Sequence, residues 1–327
     1  MKKVSVVIPL YNSSNTIGEV IDEVTKEFER LNKYELEMVL VNDCSPDNVF
    51  DLVSEIAKNR SDIKVLDLAK NSGQTNAMFA GYKYATGDYI VNMDDDLQMP
   101  GYEIGNMLEA LEARELDVVF AKYKKQKESS FRLFGSKINT FMTEMMIGKP
   151  KNIKINNFFV MRKFVKDAIC QYSNNYPYVY GIIFKVTSRV GNVLCEHRER
   201  TNGKSNYTMK KLLSLWLNGF LNFSVKPLRV ATSLGVIITI LSFIVGLILI
   251  IQRILNPDGG VLGWTSTIVT VIFLSGVQLL SIGILGEYLG RLYISSSKLP
   301  TYVVRQEINC GECEPDSNTE DEDNNEN

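Results

Sequence analysis

The chain contains one histidine, His197, in 327 residues. That leaves almost no room for a histidine-centred triad or a poly-histidine metal centre. Cysteine is scarce as well, and Cys44, Cys170, Cys195, Cys310 and Cys313 outline no disulfide framework. Cys310 and Cys313 form one CxxC, but a zinc site takes about four ligands and no second pair exists. Glycine-rich phosphate loops are missing too. No GxGxxG follows the first strand-like run and no GxxxxGK(S/T) occurs, which argues against a dinucleotide dehydrogenase and a P-loop enzyme. Met1-Lys2-Lys3 leads into a short apolar run that breaks at Pro9, so no cleavable signal peptide is expected and the N-terminal half is expected to stay in the cytoplasm.

Basic residues are absent from 312–327, where eight acids stand. Without them the chain carries 36 basic against 30 acidic residues, so the net charge of −2 conceals a body near +6. The tail is polar and charged, and disorder is expected there.

Apolar residues are plentiful, at 45% of the chain, enough for one sizeable core and something more. Residues 230–252 lie uncharged between Arg229 and Arg253, and 259–286 are uncharged up to Glu287. The first run covers about 35 Å as a helix, enough for a hydrocarbon layer of ~30 Å. The short turn "RILNPDGG" joins the two as a hairpin, so both outer flanks fall on one side. Those flanks carry Lys210, Lys211, Lys226, Arg229, Arg291, Lys298 and Arg305 against Arg253 alone in the turn. The positive-inside bias then places the N-terminal domain and the tail in the cytoplasm. A buried core hairpin is the alternative, and runs above 20 residues without charge disfavour it. Residues 207–229 place Leu212, Leu213, Trp216, Phe220 and Phe223 near helical spacing. They read either as an amphipathic helix in the membrane interface or as one packed on its own domain.

The first ~200 residues alternate in type. Strands are expected at Val4–Ile8, Met38–Asn42, Ile63–Leu68 and Tyr89–Met93, with helices at Thr16–Leu31, Val49–Asn59 and Gln74–Ala85. That order predicts an α/β fold, a mostly parallel sheet with helices on both faces. Ligands of such sheets bind beyond the C-terminal strand ends. Pro9-Leu10-Tyr11-Asn12, Asn42-Asp43 and Asp94-Asp95-Asp96 all fall there.

The acidic triplet is costly, because two unit charges at ~4 Å repel by roughly 4 kcal/mol at an effective dielectric near 20. A solvated turn, a protonated member or a bound cation would each relieve it. Strand alternation would put Asp94 and Asp96 on one face, with Gln98 in the following turn. Two carboxylates and an amide oxygen suit Mg²⁺ or Mn²⁺, whose shell a substrate diphosphate would complete.

"VSVVIPLYN", "VNDCSPD", "KNSGQTNAMFAGYKYATGDYIVNMDDDLQMP" and "ERTNGKSNY", in this order, resemble family 2 glycosyltransferases of GT-A fold. "GEYLGRLY" followed by "LPTYVV" resembles the members with a C-terminal membrane hairpin. The resemblance spans residues 1–305 and points to polyprenyl-phosphate glycosyltransferases, a group that includes dolichyl-phosphate mannose synthase, the bactoprenol glucosyl transferases and the undecaprenyl-phosphate aminoarabinose transferase. It implies a Rossmann-like GT-A domain over 1–206, a juxtamembrane helix over 207–229, membrane helices at 230–252 and 259–289, a post-membrane segment at 290–308 and a tail at 309–327.

By position, the resemblance makes Asp94, Asp96 and Gln98 the metal motif. Asp43 becomes the acid at the donor base or ribose, and capping a helix near Pro46 is its plainer role. Pro9, Tyr11, Asn12, Asn71, Gly73 and Asp95 become the nucleotide-sugar site. Arg200, Gly203, Lys204, Ser205 and Tyr207 become a phosphate-clamping loop, with Arg200 and Lys204 counted with Asp94 and Asp96 as catalytic. Lys122, Arg132 and Ser136 become acceptor-phosphate contacts. The chain departs from the family pattern at Ser13, where many relatives have Glu, at Lys122 in place of Arg, and at Asn156-Asn157, where an Asp is common.

The implied reaction is inverting transfer of a sugar from a UDP- or GDP-sugar to a polyprenyl phosphate, expected to be undecaprenyl phosphate. Mg²⁺ or Mn²⁺ is the implied cofactor, the enzyme a homotetramer in the cytoplasmic membrane, and nucleic acid no partner. The other readings are transfer to a neutral lipid such as diacylglycerol and an inactive membrane scaffold.

Overall fold

Val4, Val6, Val7, Ile8 and Leu10 are completely buried, which a strand achieves only when both its faces are covered. They belong to β1 (Lys2–Leu10), at the middle of the sheet in this computed structural model. The structure describes residues 1–123, 150–172, 179–198, 226–255, 263–296 and 300–311. The chain divides into two units: the first combines Met1–Ile138, Gly148–Asn206 and Pro300–Asn327, and the second Asn139–Ile147 and Tyr207–Leu299.

The first unit holds α1 (Ile17–Leu31), β2 (Tyr34–Asn42), α2 (Val49–Lys58), β3 (Ile63–Leu68), α3 (Gln74–Tyr84), β4 (Tyr89–Asn92) and α4 (Glu103–Ala113). It continues with β5 (Val118–Tyr123), β6 (Phe159–Arg162), α5 (Lys163–Cys170), α6 (Val179–Val186), β7 (Val190–Cys195) and β8 (Val304–Ile308). The sheet order is β7-β5-β6-β4-β1-β2-β3-β8. β1 pairs in parallel with β2 and β4, β2 with β3, and β5 with β7. β6 and β8 run antiparallel to their neighbours. The α/β architecture and the mostly parallel sheet follow the alternation read from the sequence.

Helix α1 shows why its segment is helical. Ile17, Val20, Ile21, Val24 and Phe28 recur at three- and four-residue spacing and are all buried, while Glu19 and Lys26 do not face the core. Asn32 ends it at φ 46°, a left-handed cap. One core layer joins α1, α2 and α4 to one sheet face, and a second joins α3, α5 and α6 to the other.

At the N-terminal strand ends a buried carboxylate ties three elements together. Glu37 accepts hydrogen bonds from the Ser5 hydroxyl, the Thr86 amide (2.9 Å) and the Thr86 hydroxyl (2.8 Å). Lys64 and Lys3 lie 2.9 and 3.0 Å from the same carboxylate.

The second unit is described over α7 (Lys226–Leu255) and α8 (Trp264–Ser296). Among the described residues, one stretch, Phe273–Gly290, is long and apolar enough to cross a membrane by length and composition, with a shorter apolar stretch at Gly235–Val245. Ile237, Phe243, Leu279 and Leu289 are all more than half exposed. Residues 207–225 and the acidic tail from 312 onward lie outside the described residues, as does Cys313. Cys310 is half-buried, and its thiol donates to the Ile308 carbonyl at 3.3 Å and the Val65 carbonyl at 3.7 Å.

Candidate active site

Three loops meet at the C-terminal edge of β1, β2 and β3. After β1, Asn12 takes φ 56°, and its amide donates to the Ser45 hydroxyl at 2.8 Å. The Tyr11 amide donates to the Asp95 carboxylate at 3.0 Å, and the Thr16 hydroxyl to the Asp95 carbonyl at 2.7 Å. The loop after β1 is thereby laced to the loop after β4.

Asp43, directly after β2, is buried and spends both carboxylate oxygens on the chain after β3. It accepts the Ser72 amide at 2.6 Å and the Gly73 amide at 2.9 Å. Burial raises its pKa, and these two hydrogen bonds pull it back. Capping of a helix near Pro46 is corrected: α2 begins at Val49 behind Asn48, and the Asp43 carboxylate is turned to the other loop. Gly73 stands at φ 86°, which a residue with a Cβ rarely adopts, and it opens α3.

Pro9, Leu10, Tyr11, Asp43, Asn71, Gly73, Gln74 and Asp95 line one cleft of about 300 Å³. The residues expected at the nucleotide sugar therefore converge, with Asn12 adjoining them in sequence. Leu10 and Gln74 are additions. Gln74 matters most, because its Nε2 donates to Asp94 Oδ1 at 2.7 Å and so bridges the cleft to the acidic loop.

Asp94 and Asp96 do not share a strand face, contrary to the expectation from strand alternation. β4 stops at Asn92, and Asp94–Gln98 form a turn in which Leu97 takes φ 60°. The Gln98 amide donates to Asp96 Oδ1 at 3.2 Å. A turn, not the pleat, brings the acids together. Asn157, just before β6, donates from its amide to both oxygens of Asp94 at 3.4 and 3.3 Å, while the Tyr180 hydroxyl donates to Asn157 Oδ1. Burial pushes the Asp94 pKa to about 7, Asn157 opposes the rise, and Asp96 and Asp95 add to it. Among the described residues no group of three or more His, Cys, Asp or Glu is arranged for a metal. What the turn offers is the oxygens of Asp94, Asp95 and Asp96. Its crowded, mutually repelling acids are hard oxygen ligands, which fits Mg²⁺ or Mn²⁺ sharing its shell with a phosphate.

Segment 196–198 packs beside this turn. The Arg198 amide donates to the Gln98 carbonyl at 3.1 Å, and His197 stacks on Tyr123 with ring centres 4.3 Å apart. Lys122 is exposed near the end of β5, in register with Leu194, and among the described contacts none joins it to the cleft or the acidic turn. Arg132, Ser136, Arg200, Gly203, Lys204, Ser205 and Tyr207 lie outside the described residues. Sequence reasoning missed Gln74 and Asn157 as partners of Asp94. The one signal available was the expectation, from the family resemblance, of an acid where Asn156-Asn157 stand.

Residues 5–169 match the family described as Glycosyl transferase family 2, and residues 226–292 match the GtrB C-terminal hairpin. The chain is 32% identical over 306 residues to the prophage bactoprenol glucosyl transferase homolog of Escherichia coli (strain K12), covering 93% of this chain and 99% of that one. It is 33% identical over 316 residues to the bactoprenol glucosyl transferase of Shigella phage SfV, again covering 93% and 99%. An uncharacterized glycosyltransferase of Synechocystis sp. is 33% identical over 309 residues, covering 92% of this chain and 94% of that protein.

Proposed function

The chain belongs to glycosyl transferase family 2, and from that premise we propose that it moves a sugar from a nucleoside-diphosphate sugar to a polyprenyl phosphate at the cytoplasmic face of a membrane. The observation that carries the reading is the joining of the cleft to the acidic turn through Gln74. A nucleoside held in the cleft would lay its diphosphate toward Asp94, Asp96 and Gln98. These three residues would hold Mg²⁺ or Mn²⁺, which when bound neutralises charge gathering on the leaving diphosphate.

Asp43 acts by fixing the Ser72–Gly73 turn, so that Asn71 and Gly73 face the nucleotide. Gln74 and Asn157 orient Asp94 with neutral amides. Asn157 favours a phosphate acceptor over a neutral one. A phosphate monoester has a second pKa near 6, so its oxygen is already a nucleophile at neutral pH. A neutral lipid hydroxyl would need a base, and an asparagine cannot be one. Arg200, Lys204, Ser205 and Tyr207, with Arg132, Ser136 and Lys122, are proposed to grip the acceptor phosphate. Displacement at the anomeric carbon then proceeds with inversion.

α7 and α8 are proposed as the membrane hairpin, supported by the match over residues 226–292, the apolar stretch Phe273–Gly290 and the exposed Ile237, Phe243, Leu279 and Leu289. Residues 1–206 are the catalytic domain in this proposal, 207–229 the interfacial helix, and the enzyme a homotetramer on the family resemblance.

The test uses the full-length protein in detergent with radiolabelled UDP- and GDP-sugars and either undecaprenyl phosphate or diacylglycerol. Label should enter an acidic glycolipid only, vanish in EDTA, and return with Mn²⁺ or Mg²⁺. Label in a neutral glycolipid would favour the other acceptor class, and no transfer with any donor would favour a scaffold. Asn157→Asp separates positioning from base catalysis. It removes a donor from Asp94 and sets a fourth carboxylate beside the triplet, so turnover should fall about tenfold. An increase in rate would mean that a base had been limiting.

A further inference from the structure

β8 follows α7 and α8 in the chain, yet it belongs to the unit that holds the sheet and pairs antiparallel with β3. Covering an edge strand is reason enough for such a pairing, and Val65↔Ile308 and Leu66↔Glu307 do that. The register then breaks. It steps from Asp67↔Gln306 to Leu68↔Val304, which leaves Arg305 as an extra residue on β8. An extra residue bends its strand and re-aims its side chain.

Arg305 is aimed back across β3. Its Nη2 donates to the Ala69 carbonyl at 2.7 Å, and its Nη1 lies 3.5 Å from the buried Asp67 carboxylate. The Ala69 amide donates to the Val303 carbonyl at 2.8 Å. Both main-chain groups of Ala69 are therefore held by the C-terminal segment. Asp67 also accepts the Asn42 side-chain amide at 2.7 Å, and Asn42 Oδ1 accepts the Ser45 amide at 3.2 Å. The same cluster thus reaches the loop after β2.

Ala69 stands two residues before Asn71. The loop from Ala69 to Gly73 is tied at its far end by Asp43 and at its near end by Arg305 and Val303. Arg305 itself lines no part of the cleft. We propose that Arg305 is a positioning residue for the donor nucleotide: through Ala69 and Asp67, the segment after the second long helix sets the shape of the Asn71–Gly73 wall. The inference rests on the nucleotide-sugar reading of that cleft. Donor affinity then depends on the C-terminal segment being seated on β3.

The experiment titrates full-length protein in detergent with UDP and with GDP, each with Mn²⁺, and follows whichever nucleotide the wild type binds. Arg305→Met keeps the aliphatic stem and removes the donors. Its Kd should rise about tenfold, the scale of a lost charge-assisted anchor. Peptides containing Ser72 and Gly73 should exchange amide hydrogens faster, while those of β1 and β2 keep their protection. Arg305→Lys donates without the fork, so it should recover part of the affinity. An unchanged Kd in Arg305→Met overturns the proposal, and so does loss of protection across the whole sheet, which would make Arg305 a fold residue only. Failure of the wild type to bind either nucleotide sinks the underlying reading instead.

Discussion

Asp96→Ala is expected to cut sugar transfer by about a thousandfold or more while leaving the thermal midpoint nearly unchanged. The size follows from the charge involved. An ionic anchor for a departing diphosphate is worth several kcal/mol, and each 1.36 kcal/mol is tenfold in rate. The unchanged midpoint follows from the setting. Asp96 sits half-buried in a turn outside the core, and its carboxylate accepts the Gln98 amide. Losing that bond costs about 1 kcal/mol, and removing one of three crowded acids relieves repulsion on Asp94. Initial rates with labelled donor, read beside a melting curve, check both halves. Wild-type turnover in Asp96→Ala would remove the acid from the chemistry.

Glu37→Gln should have the largest effect on stability without touching the site. Glu37 is buried, and its loss leaves Lys64 and Lys3 without their shared carboxylate. Breaking a buried pair costs about 3–5 kcal/mol. Lys3 is partly solvated and glutamine keeps some hydrogen bonds, so about 2–4 kcal/mol is expected here. For a domain of this size that lowers the midpoint by roughly 5–15 °C. Burial by itself would raise the Glu37 pKa, but hydrogen bonds from Ser5, Thr86 and Lys64 outweigh it and hold the pKa at about 2 against an ordinary 4.5. A carboxylate depressed on folding contributes stability that is complete above the unfolded value and lost as pH falls through the folded one. The wild type should therefore lose this contribution between about pH 4.5 and 2, and Glu37→Gln should lack it. Parallel wild-type and mutant melting curves from pH 6 to 3 that never converge would contradict this assignment.

What the sequence disclosed tracks what is local. β1 to β4 and α1 to α3 stand within a few residues of their expected limits, because continuous apolar runs and three- and four-residue spacing are properties of the segments themselves. The start of β2 was hidden, since Glu37 looks like a loop residue until Lys64 and Thr86 arrive from elsewhere in the chain. β8 was hidden for the same reason: VRQEI is polar, and only β3 makes it a strand. At the site, acids advertise themselves by charge and Gly73 by its motif. Gln74 and Asn157 are neutral amides whose meaning is a distance to Asp94, and no spacing in the sequence encodes that distance. Asp43 stands out by its place directly after an apolar strand, while its bonds to the Ser72 and Gly73 amides exist only in three dimensions.

The central claim is that the acidic turn and the cleft form one site for a cation and a nucleoside diphosphate. The most direct measurement is anomalous diffraction from crystals of the full-length protein soaked with Mn²⁺ and a nucleoside diphosphate. The account predicts a manganese peak bound by Asp94 and Asp96, with the diphosphate completing its shell and the nucleoside beside Asp43 and Asn71. A manganese peak elsewhere, with both aspartates turned to solvent and the cleft empty, would contradict it.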